Sequence, residues 1–62
     1  MQITSDRKKA IIFNLSRQAS LMEQNAKDLA ELGDVMLSLA SDTMNKQAEG
    51  VRNLARHAEE NL

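Results

Sequence analysis

The sequence predicts an all-α protein, a helical hairpin of two antiparallel helices that dimerises into a four-helix bundle. Three observations lead there. Proline is absent from the 62 residues, and Ala, Leu, Met, Gln, Glu, Lys and Arg dominate, so propensity favours helix nearly throughout. Two apolar stripes at helical spacing flank the pair Gly33-Asp34. Finally, ordering a chain this short costs roughly 1.5 kcal/mol per residue, about what its small core returns. Cysteine is absent, which removes disulfides and thiolate metal sites as supplements and leaves self-association.

The first helix is expected over about residues 5–32. Ile11, Ile12, Leu15, Ala19, Met22, Ala26, Leu29 and Ala30 fall within about a third of a turn, and Leu32 lies at the edge of the same stripe. Its seam is a heptad with Ile12, Ala19 and Ala26 at a and Leu15, Met22 and Leu29 at d. Mostly small residues thus alternate with larger ones, and small a residues let helices approach closely. Thr4, Ser5 or Asp6 can cap its start with a side-chain oxygen.

The turn is placed at residues 33–34, with Gly33 supplying positive φ and Asp34 the next N-cap. The second helix, over about 35–60, carries Leu37, Met44, Val51 and Ala58 at seven-residue spacing, with Ser41, Ala48, Ala55 and Leu62 four residues after each. Two rival readings stand beside the hairpin. Gly33 costs a helix only about 1 kcal/mol, so one continuous helix is an alternative, and Ser41-Asp42-Thr43 is a candidate further break.

No stretch reaches the roughly 18 apolar residues of a membrane span, and the opening Met-Gln-Ile-Thr-Ser-Asp lacks the apolar core of a signal peptide. A soluble, cytoplasmic protein is expected. Net charge is −1, which gives no general electrostatic case for nucleic acid or anionic lipid.

Phe13, the only aromatic residue, lies about 160° around helix 1 from Leu15, opposite the core stripe. Lys9, Arg17 and Leu21 share its neighbourhood, together with Ala10 and Gln24. A rigid aromatic beside arginine is the composition of a binding hot spot, so Lys9, Phe13, Arg17 and Leu21 are the candidate partner-binding residues. Arg7, Lys8 and Lys9 make the amino-terminal end basic, whereas the stretch from Glu23 to Asp42 is acidic. A second line, Met36, Thr43, Gly50 and His57, runs along helix 2, where Gly50 suggests close packing or a hinge. Glu23 with Lys27, Asp42 with Lys46 and Arg56 with Glu60 stand four apart, the spacing of surface ion pairs.

With Phe13 flanked by Lys9, Arg17 and Gln24 on helix 1, the layout resembles the Rop family of plasmid copy-number proteins. These are short helical hairpins whose dimers are four-helix bundles that bind paired RNA loops through helix 1. The resemblance lies in chain length, core alternation, central turn and that cluster rather than in a shared string. It adds an RNA-binding reading, to which the residues themselves contribute Phe13 for stacking and Arg7, Lys9 and Arg17 for phosphates.

No Ser–His–acid set, glycine-rich phosphate loop or carboxylate dyad stands out, and one histidine is too few for a zinc site. The expectation is therefore a small non-enzymatic regulator or adaptor without a cofactor or metal. Its expected partners are a second copy of the chain, as a homodimer or higher homo-oligomer, and another protein. Nucleic acid is the alternative.

Overall fold

The structure, a computed structural model, describes residues 3–61. It is all-helical, with α1 spanning Ser5–Glu31 and α2 spanning Val35–Asn61. Each helix has 27 residues, and the two fold back on one another in a hairpin 47 × 15 × 15 Å in extent.

The helix ends have local causes. Of the three candidate caps at the start it is Thr4 that acts: its backbone is extended and its Oγ1 accepts from the Arg7 N–H at 3.2 Å, satisfying one of the orphan donors of a first turn. α1 ends at Leu32 because Gly33 takes φ +70°, a left-handed conformation in which a Cβ would be strained. Asp34 Oδ1 then accepts from the Leu37 N–H at 3.0 Å, and the Asp34 carbonyl accepts from the Ser38 N–H at 2.9 Å. One residue stops a helix and the next starts another, so the continuous helix is excluded.

α2 runs unbroken through Ser41-Asp42-Thr43, against the further break considered above. The two hydroxyls find carbonyls without leaving the helix: Ser41 Oγ donates to the Ala26 carbonyl of α1 at 2.6 Å, and Thr43 Oγ1 donates to the Leu39 carbonyl one turn back at 3.2 Å. The helix also continues through Gly50, where an added Cβ would meet nothing within 4 Å. Within the hairpin, neither close packing nor a hinge explains that glycine.

The interior consists of small side chains. Ala19 and Ala26 of α1 and Ser41, Ala48, Ala55 and Ala58 of α2 are buried, and among the described residues no large side chain is fully enclosed. The larger seam residues Leu15, Met22, Leu29, Leu37, Met44 and Val51 are only half-buried. The line of contact thus follows Ala19 and Ala26 at a and their counterparts Ser41, Ala48 and Ala55, with half-buried Ile12 at its end; the d residues sit beside it, and of these only the small Ala58 is buried. Ala30 and Leu32, which the periodicity assigns to the core stripe, are exposed, because they fall at e and g, off the contact line. Leu62, expected to close the second seam, lies outside the described residues.

This rotation divides the hairpin lengthwise. At about 100° per residue, e and b lie to one side of a, while d and g lie to the other. Reversing a helix reverses its angular sense, so antiparallel partners present the same letters on the same side. One broad side of the hairpin is therefore e/b, and the opposite one is d/g.

Candidate functional site

Arg52 and Glu23, both at e, meet across the helices on the e/b side. The Arg52 guanidinium donates through Nε to Glu23 Oε2 at 3.1 Å and through a terminal nitrogen to Glu23 Oε1; the same nitrogen donates to Ser20 Oγ at 3.1 Å. Helical side chains lean toward the amino terminus of their own helix. In an antiparallel pair that brings Arg52 toward the turn and Glu23 away from it, so they meet. The hydrogen bond from Arg52 holds the Glu23 carboxyl below its usual range, and Glu23 in turn raises Arg52. The side chains stay 41% and 44% exposed, so the bridge fixes geometry more than it adds stability.

This ion pair corrects the expected surface pairs. Glu23 turns to Arg52 instead of Lys27, and neither Asp42 with Lys46 nor Arg56 with Glu60 forms a salt bridge. Intrahelical spacing puts residues within reach of each other, but each such pair is worth only a few tenths of a kcal/mol. A bidentate guanidinium–carboxylate fork across the helices competes successfully for Glu23.

The predicted partner-binding residues are all exposed, but they wind around α1, from Lys9 at e beside the contact line to Leu21 at c on the outside. Phe13 is 64% exposed and Leu21 56%, and Lys9, Arg17, Ala10 and Gln24 are exposed with them. Successive members four residues apart make a strip that climbs the helix. Its lower end borders an open hollow of about 470 Å³ between the start of α1 and the end of α2, lined by Ser5, Lys8, Lys9, Ile12, Phe13 and Glu59. The hollow brings Lys9 and Phe13 together with a carboxylate; Arg17 and Leu21 lie farther along and do not line it. Gln24 donates to Asp28 Oδ1 at 3.0 Å.

Sequence reasoning did not single out two features. Arg52 carries no motif, and its only signal is an e position shared with Glu23. The other feature is an apolar cluster at the turn, where Leu32, Val35, Met36 and Leu39 are 67%, 76%, 72% and 58% exposed. Their outward direction depends on how the chain reverses. On α2 the line of Met36, Thr43, Gly50 and His57 is exposed. Asn61 Nδ2 lies 3.2 Å from His57 Nδ1 and donates to the His57 carbonyl at 2.9 Å. Among the described residues no cluster of three or more His, Cys, Asp or Glu side chains is arranged to hold a metal ion. None of the described helices is long and apolar enough to cross a membrane.

Fold and surface together define a two-helix hairpin with an alanine contact line and an exposed aromatic strip. No protein-family model, curated protein or solved structure matches the chain.

Proposed function

We propose that the chain is a non-enzymatic regulator or adaptor that works as a helical homo-oligomer and offers Lys9, Phe13, Arg17 and Leu21 to another protein. The observation that carries this reading is Phe13. The only aromatic side chain is 64% exposed and lies on the far side of α1 from the half-buried d residues, where it gains little from folding. On a partner, the same ring buries a large area at small entropic cost. Protein is favoured over nucleic acid because Glu59 places a carboxylate in the hollow that Lys8 and Lys9 line, opposing a phosphate there.

Phe13→Ala tests the reading. It should leave the thermal midpoint almost unchanged and weaken binding to the cognate protein by about 2 kcal/mol, roughly thirtyfold. Wild-type and Phe13→Ala baits in extract of the native host, compared by quantitative mass spectrometry, measure the binding. A protein held by the wild type, lost with the variant and retained in high salt supports the proposal. Identical captures would remove the strip, and captured RNA released by salt would replace protein with nucleic acid as the partner.

A further inference from the structure

We propose that a second copy of this chain covers the d/g side and that the two hairpins lie with their turns at opposite ends. This rests on the oligomeric reading above and adds to it the face and the orientation.

Area argues for the occupant. The chain exposes 4945 Å², whereas a compact monomer of 6.9 kDa exposes about 4,000 Å². Two separate hairpins together expose about 9,900 Å², and a compact body of twice the mass about 6,600 Å². Closing one hairpin on another would thus bury about 3,300 Å², inside the roughly 2,000–5,000 Å² of obligate homodimers.

Composition selects the face. Along the d and g positions of both helices charge occurs once, at Lys8, while along e and b it occurs nine times. The d residues are half-buried by the hairpin itself. On g, Leu32 and Leu54 remain 67% and 60% exposed, at the edges that a second layer would cover. A second copy supplies a face of the same length, with the same apolar d row, the same near-absence of charge, and neutral Gln18, Asn25, Gln47 and Asn61 along g. Lys9, Phe13 and Arg17, at e, b and f, lie away from this face, so the dimer would carry two such patches on opposite outer sides, whereas Leu21, at c beside g, would border the interface.

Charge selects the orientation. The first half of α1 holds Arg7, Lys8, Lys9 and Arg17 against Asp6 alone, and its second half with the turn holds Glu23, Asp28, Glu31 and Asp34 against Lys27 alone. A two-fold axis perpendicular to the helices lays α1 along α1 of the other copy in the reverse direction, so each basic half meets an acidic one. Arg7 and Asp28 share the c position and stand about equally far from the middle of α1, so Arg7 of one copy comes level with Asp28 of the other. Turns at the same end would instead gather Asp28, Glu31 and Asp34 of both copies at one end and Arg7, Lys8 and Lys9, only partly offset by Glu59 and Glu60, at the other. Such like-charge crowding disfavours that arrangement.

The chain has no cysteine, so Leu32→Cys gives a single site for a spin label. Sedimentation equilibrium and the distance between labels in the full chain, measured together, test the proposal. A mass of two chains with labels about 40 Å apart is expected. A two-chain mass with labels within about 20 Å would overturn the orientation and leave the oligomeric reading standing. A monomeric mass, for the wild type as well as the variant, would overturn both. As a check on the face that does not rely on the label, Met22→Lys should shift the mass to one chain and Phe13→Lys should not. The reverse pattern would assign the interface to the other side.

Discussion

The two broad sides of the hairpin differ although they are built on the same helices and flank the same line of alanines. On the e/b side, the residues beside that line are polar except for Ala30, and Arg52 links Glu23 and Ser20 across the gap in solvent. On the d/g side they are Leu15, Met22, Leu29, Leu37, Met44 and Val51, leaning together and half-covered. An alanine contact line brings helices close but encloses little apolar area, so what flanks it decides the fate of each side. A polar flank is complete once hydrated and bridged. An apolar flank gains at about 25 cal/mol per Å² from any further burial.

The largest expected effect probes the apolar flank. Leu29→Ala should cost about 2–5 kcal/mol if a second hairpin encloses the side chain, and the melting midpoint, followed by circular dichroism, should then rise with protein concentration. A cost below about 1 kcal/mol with a concentration-independent midpoint would mean that the half-buried state is the final one and that the two sides differ less than their composition indicates.

A smaller loss is expected on the contact line between the sides. Ala48 is fully buried, and Ala48→Leu would force the helices apart at a cost of about 1–3 kcal/mol in chemical denaturation. If the variant is as stable as the wild type, the close approach is not what places the d residues to one side.

The smallest effect belongs to the polar flank. The Glu23 carboxyl is held below its ordinary pKa by the hydrogen bond from Arg52. Its contribution is therefore complete above the unfolded-state pKa and disappears as pH falls through the depressed folded-state value. Wild type and Arg52→Ala should differ slightly in stability near neutrality and converge in acid, and added salt should also narrow the gap. A gap that persists in acid would show that Arg52 acts through packing of its stem and not through charge.

Much of this was legible in the residues. The two helices follow from a 3.6-residue period without proline, and the reversal from Gly33-Asp34, because positive φ and an N-cap oxygen act within a few residues of chain. The strip of Lys9, Phe13, Arg17 and Leu21 was readable as a neighbourhood for the same reason: steps of four on one helix are fixed by helix geometry alone. Its exposure required the second helix to be placed elsewhere. Arg52 was invisible because its partners lie 29 and 32 residues away, and no local pattern encodes how far a guanidinium reaches across a gap.

The sequence by itself determined which residues are helical, where the chain turns back, and that a and d positions hold alternating small and large side chains. Only the tertiary structure decided that the small ones take the centre and the large ones fall to one side. Ala19, Ala26, Ala48 and Ala55 permit close approach along a, and once the helices meet there a second row of large residues cannot occupy the same narrow line. Which row wins depends on the rotation of each helix about its axis, a quantity set by packing between helices and not by any spacing within one. The same rotation placed Ser41 Oγ against the Ala26 carbonyl, where burial requires its hydrogen bond to be met.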